Sequence, residues 1–288
     1  MVDLTNLKLN NVEFFERNGE LYGEVKSKEL NACYELKDVT FQSPAEGILM
    51  DLDGTTLDSE GFWVYIIQTT MAKLMGNPKF TLEDADEPFV SGYTTVEHLR
   101  YCINKYCKDK KIEDANAIYH ITANEELEKV MKGAGNANAF KPNEGLKEFL
   151  LEVKRRGIKI GLATSGLKYK AIPEIVSVFR QLDMGDPLKF YDSIITGGDR
   201  KNAGVYGTVG EIASKPHPFI YSELAHLGLN VKNDSRVLGI EDSSAGVLSL
   251  RFAGFPVVGL NTGNISKSGL DSFCYKKVDN LTEILGIL

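Results

Sequence analysis

The sequence predicts an α/β protein: a doubly wound parallel sheet interrupted by an inserted helical module, with a short β extension at the N-terminus. Three observations predict it. From Pro142 onward, short apolar strands alternate with single amphipathic helices, an order that yields a parallel sheet with right-handed crossovers. The stretch 61–137 is rich in helical spacing and contains no strong strand. Between the extension and this module, Ile48-Leu49-Met50-Asp51-Leu52-Asp53-Gly54 reads as a buried strand ending in a sharp turn.

The bulk properties bound the class. With 288 residues the chain can bury a sizeable core, as one large domain or two modest ones. Hydrophobic residues at 43% and charged residues at 25% are ordinary for a globular protein. The net charge of −7 is spread along the chain without a basic patch, which argues against a nucleic acid or an anionic membrane as partner. Cys33, Cys102, Cys107 and Cys274 form neither a C-x-x-C nor an even framework, so reduced thiols in a cytoplasmic setting are expected. Met1-Val2-Asp3-Leu4-Thr5-Asn6 has no basic start leading to an apolar core, so no signal peptide is expected, and no apolar run is long enough to span a bilayer.

Taken in order, residues 1–45 form a β-hairpin extension. Val12 to Arg17 and Glu20 to Val25 flank Asn18-Gly19, a pair suited to a type I′ turn, and Cys33 to Phe41 could supply a further strand. An isolated hairpin is marginal, so this one is expected to pack on the main body or on an oligomer partner. Residues 46–60 and 138–288 form the α/β core, and 61–137 the helical module. In that module Phe62 to Leu74, Thr94 to Tyr106 and Asn116 to Met131 carry apolar residues three and four apart. Its entry (Asp58 to Gly61) and exit (Gly133 to Asn136) suit hinges. The core then runs helix Gly145 to Arg156, strand Ile158 to Ala163, helix Tyr169 to Phe179, strand Tyr191 to Ile195, and helix Pro218 to Leu227. Strand Val237 to Ile240, helix Ala245 to Phe252 and strand Pro256 to Leu260 follow.

The acids at the end of the first core strand set the chemistry. A side-chain period of two turns Asp51 and Asp53 toward one cleft and Leu52 into the core, at the sheet edge where open α/β folds bind ligands. Two carboxylates this close call for a positive partner. Mg²⁺, which takes oxygen ligands and is held by one or two carboxylates plus a substrate phosphate, is the natural candidate. Three further groups fall at strand ends. Thr164-Ser165-Gly166 offers a hydroxyl and turn N–H groups for a phosphoryl oxygen. Lys215, before Pro216, can neutralise both Asp51 and a phosphate, and Glu241-Asp242 adds acids as metal ligands. Each also has a purely structural reading: an Asx turn at Asp53, a helix cap at Thr164, a solvated charge at Lys215, a favourable helix start at Glu241-Asp242. All four in this order at strand ends favour one site.

These residues resemble the four ordered motifs of the haloacid dehalogenase-like (HAD) hydrolase superfamily: Asp51-x-Asp53-Gly54-Thr55, Thr164, Lys215-Pro216 and Glu241-Asp242. The resemblance covers about residues 47 to 288, and residues 1–45 lie outside it. It implies a Rossmann-like core, and the helical module resembles the cap of the subfamily I branch that includes β-phosphoglucomutase and phosphoglycolate phosphatase. By that resemblance Asp51 is the nucleophile that becomes an aspartyl-phosphate, and Asp53 is the general acid and then base. Mg²⁺ is held by Asp51, the Asp53 carbonyl and Asp242, with Glu241 acting through water. Thr164 and Lys215 supply donors.

Asp53 as the second acid points to phosphate esters, since the phosphonate-cleaving members have alanine there and the dehalogenases tyrosine. The resemblance therefore implies a Mg²⁺-dependent phosphatase acting on a small phosphorylated metabolite: a sugar phosphate, phosphoglycolate or a nucleotide. A phosphomutase is the alternative, but Trp63 stands where β-phosphoglucomutases have a histidine, and Thr95 roughly where their cap loop has an arginine. A non-catalytic binder of a phosphometabolite is a third reading, disfavoured because every expected catalytic residue type is present. Substrate contacts are expected from Ser165 and Gly166 in the core and from Gly92, Tyr93 and Thr94 in the cap. Arg200, Lys201 or Tyr206, in a loop before Lys215, could reach an anionic substrate, and His217 is expected merely to neighbour the site. The protein is expected to be a monomer or homodimer.

Overall fold

The computed structural model describes residues 2–27, 30–86, 95–136, 139–197 and 213–288. The N-terminal region holds more than a hairpin. Strands β1 (Val12–Arg17) and β2 (Glu20–Lys26) pair antiparallel across Asn18-Gly19, and β3 (Asn31–Glu35) adds to β2 as a third antiparallel strand. That strand starts and ends earlier than Cys33 to Phe41. A three-stranded sheet can bury one face, which a hairpin cannot, and this one buries Val12 and Val25 against the core, with Phe14 and Tyr34 packed on Phe252.

The first core strand, β4 (Gly47–Asp51), is buried along its whole length. It is followed by the two-residue β5 (Leu57–Asp58) and by helices α1 (Glu60–Met75), α2 (Thr95–Tyr106) and α3 (Ile112–Met131). The chain then returns through β6 (Lys141–Pro142), which pairs antiparallel with β5, so the two crossings between helical module and core are clasped together.

The core continues with α4 (Leu146–Arg155), β7 (Lys159–Leu167), α5 (Lys168–Gln181), α6 (Pro187–Phe190) and β8 (Ser193–Gly197). After these come α7 (Phe219–Glu223), β9 (Val237–Glu241), α8 (Ser244–Phe252), β10 (Val257–Leu260) and β11 (Lys276–Val278). The sheet order is β11-β10-β9-β4-β7-β8, and every pair is parallel. This is the doubly wound α/β sheet that the alternation of strands and helices predicts, with β4 at its centre. Successive side chains of β4 divide between its faces as a strand requires: Ile48 and Met50 join one buried cluster together with residues of α1, α2 and α3, and Leu49 joins the other, which the N-terminal sheet covers.

One strand differs from expectation. β7 does not end at Ala163; it runs on to Leu167 through a bulge in which Ser165 and Gly166 have no partner residue on β8. A bulge bends and twists a strand locally, and such features commonly re-aim side chains beside a site.

Candidate active site

The carboxyl ends of β4, β7 and β9 converge with the segment before α7. Asp51 ends β4, and although Lys215 lies 164 residues away, its ammonium donates to Asp51 Oδ1, to Glu241 Oε1 at 2.6 Å and to the Tyr221 hydroxyl at 2.8 Å. All of these side chains are buried. Glu241, at the end of β9, is engaged on both oxygens. Oε1 also accepts from the Tyr221 hydroxyl at 2.6 Å, and Oε2 accepts the main-chain N–H groups of Asp242 and Ser243, each at 3.1 Å, and the Ser243 hydroxyl at 3.0 Å. The backbone at Gly246 approaches so closely that a Cβ there would lie 1.7 Å from Glu241 Oε1.

Asp242 faces the turn after β4. The Thr55 hydroxyl lies 3.3 Å from its Oδ1, and Gly54, at φ +80°, has room for no side chain because a Cβ would lie 2.2 Å from Asp242 Oδ2. Both the backbone conformation and the contact call for glycine. Asn143, just after β6, donates to the carbonyls of Gly54 at 2.6 Å and Thr55 at 2.9 Å, fixing the turn. Asp53 accepts from the Ser59 hydroxyl at 2.7 Å and stands 3.5 Å from the Thr164 hydroxyl, which in turn accepts the Gly166 N–H at 2.8 Å.

The structure thus brings together Asp51, Asp53, Thr164, Lys215, Glu241 and Asp242. Gly166 lines the adjoining cleft, whereas Ser165 is exposed on the bulge and does not. Gly92, Tyr93 and Thr94 lie outside the described residues, as do Arg200, Lys201 and Tyr206. His217 turns away from the acids and meets the N-terminal sheet, with Nδ1 2.7 Å from the Tyr34 hydroxyl. The cleft, about 770 Å³, lies between this cluster and the helices, and Ser59, Trp63, Thr95, Tyr119, Lys170 and Glu174 line it.

The description "Haloacid dehalogenase-like hydrolase" fits residues 48–260. The chain belongs to this family. It is a hydrolase of the HAD superfamily, and a phosphorylated carbohydrates phosphatase from Thermotoga maritima is 28% identical to it over 209 residues, 73% of this chain and 82% of that one. Among solved structures it resembles a predicted phosphoglycolate phosphatase from Haemophilus somnus (TM-score 0.62, 18% identity, 84% of this chain and 97% of that one). It also resembles a β-phosphoglucomutase from Clostridium difficile (TM-score 0.53, 23% identity, 83% of this chain and 93% of that one). These two likenesses concern the fold.

The electrostatics of this HAD hydrolase fit a divalent cation. Burial pushes the Asp51 carboxyl well above the usual range and Glu241 adds to it, with Lys215 opposing. Burial and Glu241 push Asp242 up to about 7, against Thr55 and Lys215. For Lys215 burial alone would favour the neutral amine, yet Asp51 and Glu241 hold it above the ordinary lysine value. One ammonium therefore serves a buried cluster of acids, and Asp51, Glu241 and Asp242 each offer a carboxylate oxygen within 4.8 Å of the others. Hard oxygen donors carrying excess negative charge suit Mg²⁺.

Sequence reasoning missed four groups. Tyr221, six residues beyond Lys215, bridges it to Glu241, but one tyrosine in a helical stretch carries no signal of that. Ser59 read as a hinge residue. Lys170 and Glu174 read as ordinary helix residues, because only the packing of α5 against α1 and α3 brings them to the cleft.

Proposed function

We propose that this hydrolase is a Mg²⁺-dependent phosphatase of small phosphorylated carbohydrates, working through an aspartyl-phosphate on Asp51. The observation that carries the reading is the buried ammonium of Lys215, joined to both Asp51 and Glu241. It holds the Asp51 carboxylate in place and leaves its other oxygen to attack. The carbohydrate class is suggested by the name of the Thermotoga maritima relative.

In the first step an Asp51 oxygen attacks phosphorus, the ester P–O bond breaks, and the leaving alkoxide takes a proton from Asp53. Ser59 orients Asp53 through a 2.7 Å hydrogen bond. In the second step a water attacks the phosphorus of the acyl phosphate and gives its proton to Asp53. The bond to Asp51 breaks and inorganic phosphate leaves. Lys215 and Thr164 offer donors to the phosphoryl oxygens. Asp51, Asp242 and the Asp53 carbonyl would hold Mg²⁺, with Glu241 supporting from behind through Lys215 and the Asp242 N–H; when bound, the ion offsets charge on the transferring group. Trp63 and Thr95 line the cleft, and neither could do the work of the histidine and arginine that the mutase reading requires, so hydrolysis is favoured over phosphoryl exchange.

Phosphate release from a panel of sugar phosphates, phosphoglycolate and nucleotides, with Mg²⁺ and with EDTA, tests this. Metal-dependent release, greatest for a sugar phosphate, is the expected result. No release from any ester under either condition would leave a non-catalytic binder.

A further inference from the structure

The cleft contains a second polar group that the phosphoryl-transfer chemistry does not use. Glu174, on α5, is 3% exposed and lines the cleft. Its Oε1 accepts from Trp63 Nε1 at 3.1 Å, and among the described residues its Oε2 has no hydrogen-bond partner. One turn earlier on the same helix, the Lys170 ammonium lies 4.1 Å from the centre of the Trp63 ring and 5.2 Å from that of Tyr119, and donates to the Tyr119 hydroxyl at 3.1 Å. No carboxylate among the described residues pairs with it within ion-pair distance. Glu174 Oε2 is not one of the enclosed atoms, so it opens on the cleft, where an occupant able to hydrogen-bond would meet it.

We infer that Glu174 and Lys170, with the Trp63 and Tyr119 rings, form the subsite that reads the hydroxyl groups of the substrate's leaving portion; this rests on the phosphatase reading above. The chemistry matches a polyhydroxylated ring. A hydroxyl both donates and accepts, so it satisfies Glu174 Oε2 whether the carboxyl is ionised or protonated, while the lysine donates to a neighbouring hydroxyl oxygen. The aromatic surfaces of Trp63 and Tyr119 offer apolar contact to the C–H face of a sugar. Both residues lie in the same cleft as Asp53 and Gly166, and its volume of about 770 Å³ holds a sugar monophosphate with room to spare. A site built to hydrogen-bond a hydroxyl discriminates strongly against an ester that lacks one, because its polar groups are then left unpaired.

The test compares kcat/KM for a hexose 6-phosphate, its deoxy analogues and p-nitrophenyl phosphate in the wild type, Glu174→Leu, Glu174→Gln and Lys170→Met, with thermal melts to verify folding. In Glu174→Leu the ratio of kcat/KM for the hexose phosphate to that for p-nitrophenyl phosphate should fall at least about tenfold. Glu174→Gln should recover part of it, and Lys170→Met should lower it in the same direction. A merely structural role would depress both esters together. An unchanged ratio in Glu174→Leu and Lys170→Met overturns the inference, and if Glu174→Leu does not fold, Lys170→Met and Glu174→Gln decide it. A wild type that cleaves p-nitrophenyl phosphate but no hexose phosphate sinks this inference alone, whereas cleavage of neither ester sinks the phosphatase reading with it.

Discussion

The Tyr34 hydroxyl lies 2.7 Å from Nδ1 of His217, two residues beyond Lys215, so the N-terminal sheet is hydrogen-bonded to the segment that carries the active-site ammonium. His217 is 1% exposed, stacks on Phe219 and is further tied down through its carbonyl, which accepts the Ser249 hydroxyl at 2.7 Å. Tyr34→Phe removes one hydrogen bond at a buried imidazole and nothing else. It should lower stability by about 1–2 kcal/mol, read as a shift in the urea midpoint, and equal midpoints would show that the contact contributes nothing.

Lys215 holds the acid cluster together. Lys215→Met leaves Asp51 and Glu241 buried without their cation, a change that typically costs about 3–5 kcal/mol. Denaturation in EDTA should show that loss and added Mg²⁺ should recover part of it. Phosphate release should fall at least about a hundredfold. Wild-type stability in the metal-free variant would contradict this account of Lys215.

Asp51→Asn separates chemistry from folding. The amide keeps the size of the side chain and removes one buried negative charge, so the melting temperature should hold or rise, whereas turnover should drop at least about a thousandfold for want of a nucleophile. Appreciable Mg²⁺-dependent phosphatase activity in this variant would refute the role given to Asp51.

Asp86, next to α2, offers a test by pH. Burial by itself would raise its pKa, but Lys105, Tyr101, Tyr106 and the Glu83 N–H all donate to it and hold the carboxyl well below the usual range. A depressed folded-state pKa contributes stability that is present above the unfolded value, near 3.8, and is lost as pH falls through the folded one. Asp86→Asn should therefore destabilise the protein by about 2 kcal/mol at pH 7. The gap to wild type should narrow as pH drops below about 4. Thermal melts at pH 7 and pH 3 check this, and a gap that widens in acid would reverse the sign.

How much of this was legible depended on the range of the interaction. The apolar run 48–50 and the two-residue period placed Asp51 at a strand end beside a cleft, and the alternation after Pro142 predicted the parallel sheet. Thr164, Lys215 and Glu241-Asp242 were legible as polar groups at strand ends. The same local reasoning ended β7 too early, because nothing in Thr164-Ser165-Gly166 distinguishes a turn from a bulge until β8 lies alongside. It also left open whether residues 1–45 pack on the main body or on an oligomer partner, and the structure lays the N-terminal sheet on the main body.

By itself, then, the sequence determined which segments are strands and helices, where the reactive residue types fall along them, and the family to which the chain belongs. The elements follow from backbone geometry and side-chain period over a few neighbouring residues, whereas the family rests on the resemblance of the four ordered motifs. Only the tertiary structure decided that Lys215 is shared by Asp51 and Glu241, that Tyr221 bridges them, that Tyr34 meets His217, and that Glu174 carries a free oxygen into the cleft. Burial and hydrogen-bond pairing depend on groups far apart in the chain, and no local pattern encodes a partner 164 residues away.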